Sequence, residues 1–326
     1  MTSPSSAPTP LPPLPAGHTA RPAVPTDLDA VFRVHADAEV LDAGVLAIEP
    51  EDIAGDWARP SMNLADDTLV VLDEHGVVVA SAEVSRAGRH RDAAVHPQAR
   101  GRGIGAHLVA WSEQRARQLG SPTLGQHVPE GSSPHRYLAG LGHRVGHTAW
   151  VLVLPEGRSV PERDLPEGYA FATIEDEARR HAAHEVVQDA FGEWEGRGRE
   201  SYDDWSATTV ARPGAQPWQL RVVEREGVVV ATCFTILDSQ GTGYVSQLAV
   251  AREHRGRGLA QALLADAFRR ARERGATRSE LSTDSRTGAL DLYLKVGMEP
   301  TQTWVNLVTD LGSGADLGSG AEPADE

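Results

Sequence analysis

The sequence predicts an α/β protein built from two tandem copies of one domain, and three observations carry that reading. The chain repeats itself: Val95-His-Pro-Gln-Ala-Arg-Gly-Arg-Gly-Ile-Gly105 matches Val250-Ala-Arg-Glu-His-Arg-Gly-Arg-Gly-Leu-Ala260, an offset of 155 residues from position 95 to position 250. In each copy, Val-rich segments of strand length alternate with segments of helical spacing. In each copy a strand segment also runs into that Gly-rich turn and then into a helix. A period this long means two domains rather than a solenoid of short units.

The offset persists downstream, pairing Leu108 with Leu263, Arg115 with Arg270, Gly120 with Gly275 and Gly142 with Gly297. Each copy opens on a helical segment, 27–38 in the first and 178–191 in the second. Strands follow at 68–72 and 77–84, with counterparts at 218–224 and 228–237. In the second copy a strand at 243–250 enters the turn, and the next helix carries Leu259, Leu263, Leu264, Ala267 and Phe268 on one face until Gly275 ends it. A strand at 278–283, a short helix at 289–296 and a strand near 304–309 complete the copy. The domains are expected at 18–154 and 169–310, joined by a linker at 155–168 that holds three prolines and many charges. Residues 1–17, rich in Pro, Ser and Ala, read as a disordered leader, and the low-complexity residues 311–326 as a disordered tail.

Composition narrows the class. The 326 residues suffice for two ordinary cores, and 40% hydrophobic residues fit a globular chain. A net charge of −15 argues against a nucleic-acid binder, which needs clustered cations to neutralise phosphates. It suits a cationic or amine-bearing substrate. The sequence has no apolar run of about 18 residues that would span a membrane and no signal peptide, so a cytoplasmic protein is expected. Cys233 is the single cysteine, which excludes an internal disulfide. Lys295 is the sole lysine, a bias that reads as GC-rich coding.

The chemistry sits in the turn. A helix start presents backbone N–H groups without partners and the positive end of the helix dipole. Gly256 and Gly258 let the backbone approach a phosphate closely, and Arg255 and Arg257 can add charge-assisted hydrogen bonds. A pyrophosphate is the natural ligand for such a turn. The spacing is neither the dinucleotide Gly-x-Gly-x-x-Gly nor a Walker loop.

In Arg255-x-x-Gly258-x-Ala260 after Leu248-Ala-Val250, and in Arg100-x-x-Gly103-x-Gly105 after Ala94-Val95, the chain resembles the GNAT acetyltransferase superfamily. Gly288-Ala-Leu-Asp-Leu-Tyr-Leu-Lys-Val-Gly-Met298 is similar to that family's closing motif, and the doubled layout is similar to the tandem group that includes mycothiol synthase. The resemblance implies in each copy a splayed mixed sheet with helices on both faces. It implies acetyl-CoA as co-substrate, its thioester beside Leu248, Ala249 and Val250 and its pyrophosphate on Arg255, Gly256, Arg257, Gly258, Leu259 and Ala260. A second, degenerate copy of the site would comprise Val95, Arg100, Gly101, Arg102, Gly103 and Gly105. The implied reaction is direct attack of an amine on the thioester, without acyl-enzyme or metal. A base takes the amine proton, backbone donors hold the oxyanion and a Tyr serves the leaving thiolate.

Tyr293 lies four residues before Gly297, the family spacing, and is the expected catalytic residue. Tyr137 lies five before Gly142, with Leu138 in the matching slot, so one residue of helical rotation is expected to aim Tyr137 elsewhere. Ser285 stands near the place where many members carry Asn. Candidates for the base are His184, Glu185, Asp189, Glu193, Glu195, Asp203 and Asp204, with no choice among them. A metal on His181 and His184 is not expected, and Cys233 reads as an inert buried thiol. Trp194, Trp205 and Trp218 read first as packing. Three readings stay open: an N-acetyltransferase acting on a small-molecule or protein amine, a mycothiol synthase-like enzyme, and a CoA-binding sensor or scaffold without catalysis. The chain is expected to be a monomer or homodimer.

Overall fold

The computed structural model describes residues 10–174, 176–194 and 197–312. The first half runs β1 (Thr19–Arg21), α1 (Leu28–Ala43), α2 (Pro50–Trp57), α3 (Leu64–Asp67), β2 (Thr68–Leu72), β3 (Val78–Ser85), β4 (His90–Val95), α4 (Ile104–Gln118), β5 (Thr123–Pro129), α5 (Ser133–Gly140) and β6 (Arg144–Val153). The second runs β7 (Tyr169–Thr173), α6 (Glu177–Phe191), α7 (Tyr202–Thr208), β8 (Leu220–Arg225), β9 (Val228–Leu237), β10 (Thr242–Val250), α8 (Leu259–Arg272), β11 (Arg278–Asp284), α9 (Leu290–Lys295) and β12 (Glu299–Asp310).

Tertiary contacts divide the chain into two units, and each draws on both repeats. One comprises residues 10–48, 63–146 and 305–312, the other 49–62 and 147–304. In the first unit the sheet order is β1-β2-β3-β4-β5, followed by the end of β12. In the second it is β6-β11-β10-β9-β8-β7. The last strand of each repeat therefore closes the other repeat's sheet, which an offset read along the chain does not reveal.

Each sheet is mixed and parts at a parallel step. Strands β4 and β5 share a single register pair, His90 with Gly125. Strand β10 pairs with β11 only from Thr242 to Val245 and then runs on to Val250, a bulge between Val245 and Gln247 turning it away. Helices cover both faces. In the second unit Cys233, Val245 and Leu281 pack with Leu259, Leu263 and Phe268 of α8, while Val222 and Phe234 face Val187 of α6 and Trp205 of α7. In the first unit Ala80 and Ala82 pack with Ile104 and Leu108 of α4, and Ser81 between them bonds His35 of α1 at 2.9 Å.

Two expectations need correction. Residues 10–17, assigned to a disordered leader, hold defined places: Leu14 packs on the α4 cluster, and the Pro12 carbonyl accepts from His107 Nδ1 at 2.7 Å. The linker is likewise seated, with Val160 only 3% exposed in the α8 cluster. In both, a few apolar side chains anchor a segment whose composition otherwise reads as solvated. At the other end Leu311 is buried with Val84 and Leu124. The rest of the leader and tail, 1–9 and 313–326, lies outside the described residues.

Candidate active site

Both Gly-rich turns adopt the same backbone. Gly101 and Gly103 have φ of 76° and 91°, and Gly256 and Gly258 have 74° and 84°. These left-handed values strain any residue with a Cβ, so the turn requires glycine. Each turn opens a long helix, α4 at Ile104 and α8 at Leu259, whose first N–H groups have no helical partner. The splay lies next to it. Beyond Val245 the β11-facing edge of β10 leaves the β11 register, so Leu248, Ala249 and Val250 keep one backbone edge beside the turn.

The first arginine of each turn is a strut. Arg100 Nε donates to the Val95 carbonyl at 3.0 Å, and its Nη atoms grip Asp42 of α1 at 2.8 and 2.6 Å. Arg255 repeats this, to the Val250 carbonyl at 3.1 Å and to Glu193 at 2.8 Å. Besides any part in holding a phosphate, both guanidinium groups tie the turn to its strand. Arg102 and Arg257 are exposed and form no ion pair among the described residues.

In the first unit the splay and the turn bound one cavity of about 440 Å³. Val95, Arg100, Gly101, Gly103 and Gly105 line it, together with Gln126 of β5 and Tyr137 of α5. Tyr137 therefore faces the cavity, contrary to the expectation from its register. Its ring lies against Gly105, where a Cβ would stand 3.6 Å from Cε1. The rotation did move the phenol off the family slot, but to another wall of the same cavity. Behind Gln126 lies Arg91, 1% exposed, whose Nε donates to Gln126 Oε1 at 2.7 Å while both Nη atoms are buried without a partner among the described residues.

In the second unit Tyr293 of α9 is 7% exposed, in the cluster that holds Cys233, Leu259 and Leu281. Burial, reinforced by Cys233 and Tyr244 nearby, pushes its pKa well above the usual phenol value. It thus stays protonated, as a proton donor must. Cys233 is fully buried and burial pushes its thiol up to about 12, which keeps it unreactive. Ser285 is engaged by strand β6, its Oγ accepting from Thr148 N at 3.3 Å.

The base candidates separate by partner. Glu185 and Asp189 are both held by Arg199, and Glu193 by Arg255. Asp204 Oδ1 accepts from Ser61 N at 3.0 Å, and Asp203 is exposed. His184 is 4% exposed, donates Nε2–H to the Glu200 carbonyl at 2.9 Å and packs against Tyr202 and Trp205. Trp205 in turn donates to Gln247 of β10 at 2.8 Å, linking this cluster to the strand that carries Leu248. Glu195 lies outside the described residues. Trp194 stacks on Phe191 at 4.5 Å and Trp218 lies under Arg274 at 4.7 Å. Among the described residues no three His, Cys, Asp or Glu side chains gather as metal ligands would, and no helix is long and apolar enough to cross a membrane. Sequence reasoning missed Arg91, Gln126 and the seated segments; their signals are single residues inside ordinary strands and Pro-rich stretches.

The comparisons agree with this geometry. The model of the acetyltransferase (GNAT) family matches residues 39–134 and 174–298. A mycothiol acetyltransferase of Thermobispora bispora is 28% identical over 217 residues, 62% of this chain and 70% of that protein. The crystal structure of a GCN5-related N-acetyltransferase from Sphaerobacter thermophilus is similar with a TM-score of 0.72 at 29% identity, over 94% of this chain and 99% of that one. A tandem GNAT protein from the clavulanic acid biosynthesis pathway shares the fold with a TM-score of 0.68 at 21% identity, over 90% of this chain and 99% of that one.

Proposed function

The chain belongs to the acetyltransferase (GNAT) family, and from that premise we propose that it moves an acetyl group from acetyl-CoA to a primary amine, with the second unit as the site of reaction. One observation carries the assignment: the edge of β10 from Leu248 to Val250 is released by β11 beside a left-handed Gly turn that opens α8. The edge offers backbone hydrogen bonds to the thioester arm, and the turn offers N–H groups and a helix dipole to the pyrophosphate. The neutral amine attacks the thioester carbonyl carbon. The C–N bond forms, the amine proton leaves to a base, the C–S bond breaks and the thiolate takes a proton from Tyr293. The net charge of −15 favours approach of a cationic amine.

The first unit binds a second CoA in this reading, because its turn and Tyr137 line a single cavity of about 440 Å³. The similarity to a mycothiol acetyltransferase favours one acceptor class, the amine of a cysteinyl pseudodisaccharide.

Calorimetric titration of acetyl-CoA tests the assignment. The wild-type chain is expected to bind two equivalents. Gly258→Asp and Gly103→Asp are each expected to lose one, since either places a strained, anionic side chain where phosphate must sit. Loss of amine-dependent thiol release in Gly258→Asp alone places the reaction in the second unit; loss in Gly103→Asp alone reverses the assignment. Turnover of other amines but not of the cysteinyl compound removes the mycothiol-like reading.

A further inference from the structure

The segment 155–168 does more than connect. Val160 is buried with Leu259 and Leu263 of α8, and the Pro161 carbonyl accepts from Gln261 Nε2 in the first turn of that helix at 3.0 Å. Two residues on, the Arg163 side chain lies across Gly258: a Cβ built on that glycine would stand 2.6 Å from Arg163 Cδ and 2.6 Å from Cζ. The guanidinium is nevertheless exposed. It forms no ion pair among the described residues, although Glu162 and Asp164 flank it in sequence.

The first unit has the same seat without the cation. Leu14-Pro-Ala-Gly17 corresponds to Leu165-Pro-Glu-Gly168, and Gly17 and Gly168 share φ of 77° and 81°. His18 N bonds the Pro15 carbonyl at 3.0 Å, as Tyr169 N bonds Pro166 at 3.1 Å. Each segment also offers a carbonyl to its helix, though not at aligned positions: Pro12 to His107, and Pro161, two places earlier in the alignment, to Gln261. In this alignment Pro12 stands where Arg163 stands, and a Cβ on Gly103 would meet nothing within 4 Å. The repeat thus extends into the segments that precede each domain, and the two copies differ by one guanidinium on the turn.

Placing that guanidinium there is electrostatically unfavourable by itself. The start of a 14-residue helix carries partial positive charge, and the exposed Arg257 adds another unpaired cation. Glu193, the carboxylate held at this turn, is already taken by Arg255. An anion on the turn turns the repulsion into attraction and gives both arginines a charge-assisted partner. We propose that Arg163 is a phosphate-binding residue of the second unit's CoA site, so that segment 155–168 forms one wall of that site. This rests on the reading that the second turn holds CoA. It follows that the two CoA sites differ in strength and in salt dependence, the second relying on a cation that the first lacks.

The test uses the full-length chain in a Gly103→Asp background, so that only the second turn binds. Acetyl-CoA and 3′-dephospho-CoA are titrated calorimetrically into this protein and into its Arg163→Ala and Arg163→Lys derivatives, at low and high salt. Arg163→Ala is expected to weaken acetyl-CoA binding about tenfold, the low end for a hydrogen bond to a charged group, and to flatten the salt dependence. Arg163→Lys is expected to recover part of the loss, because charge without the planar fork remains. An equal loss with 3′-dephospho-CoA assigns the contact to the pyrophosphate, and a vanishing loss assigns it to the 3′-phosphate; either supports the proposal. Unchanged or tighter binding by Arg163→Ala, in a background where Gly258→Asp still abolishes binding, overturns the role of Arg163 and leaves the CoA site standing. Retained binding in the Gly258→Asp protein overturns the second-turn reading and the proposal with it. Unchanged melting temperatures exclude misfolding as the cause of any loss.

Discussion

Tyr137 and Tyr293 stand in the same motif of the two halves and reach opposite environments. Tyr137 is 40% exposed and lines a cavity, while Tyr293 is 7% exposed in a hydrophobic cluster. The slot that Tyr293 occupies is filled in the other half by Leu138, itself 2% exposed among Val128, Val305 and Leu307. In both halves, then, that slot is a core position first. A phenol placed there is held by packing, and burial keeps it protonated. A phenol one residue earlier is turned by about 100° and meets solvent and the cavity instead. The difference teaches that a one-residue register change in a short helix moves the hydroxyl to another wall of the site without removing it.

The largest effect expected from this contrast is on turnover. Tyr293→Phe keeps the packing and removes the hydroxyl, so kcat should fall about 10²-fold or more with little change in KM, the usual scale for losing a general acid. Tyr137→Phe should leave kcat within a few-fold. Steady-state thiol release with any accepted amine reads both. The opposite ranking would move the chemistry into the first unit. Because the Tyr293 pKa is raised, its titration should also leave no falling limb near pH 10 in the kcat profile, where an ordinary phenol would give one.

A second contrast concerns two buried arginines, one in each unit. Arg221 is matched: its Nε meets Asp266 at 2.6 Å and its Nη1 meets Thr173 at 2.8 Å. Arg91 is not, since both Nη atoms are buried without partners among the described residues and burial lowers its pKa to about 10. Arg221→Met would take the buried partner from Asp266 Oδ2, while Oδ1 keeps Arg269 and Arg270 stands farther off. A loss of about 3 kcal/mol is expected, the low end for breaking a buried pair. Arg91→Met removes a charge that burial disfavours and should change stability by less than about 1 kcal/mol in either direction. Urea unfolding of both variants decides the matter, and equal losses would mean that Arg91 has a partner of comparable worth.

Much of this architecture was legible in the sequence because its signals are periodic or chemical. Helix α8 shows its apolar face in Leu259, Leu263 and Phe268, and both turns announce their left-handed backbone through paired glycines. What escaped is long-range or sparse. The exchange of β6 and β12 between sheets is a pairing choice among similar Val-rich strands, and no local pattern states it. The carboxylate partners of Arg100 and Arg255, Asp42 and Glu193, lie 58 and 62 residues away in sequence, so their bracing of the turn has no local signal. Segments 10–17 and 155–168 looked like spacers because single apolar residues, the partly buried Leu14 and the buried Val160, anchor stretches otherwise full of proline and charge.

The smallest effect lies in acid stability, where the units again differ. His143 in the first unit is buried, and burial, with Arg91 nearby, lowers its pKa below 6.5. The unfolded chain therefore binds a proton that the folded one resists. The stabilisation from keeping His143 neutral is present above pH 6.5 and is lost as pH falls from there toward the lowered folded value. For one group the slope is at most about 1.4 kcal/mol per pH unit. In the second unit burial also lowers the pKa of His147, but Asp284 at 4.0 Å works against the shift. His143→Phe should therefore flatten the decline in unfolding free energy as pH falls below 6.5. Urea titrations of wild type and variant across that range measure it directly. Parallel declines in the two proteins would mean that the acid sensitivity arises elsewhere, with His147 the next residue to replace.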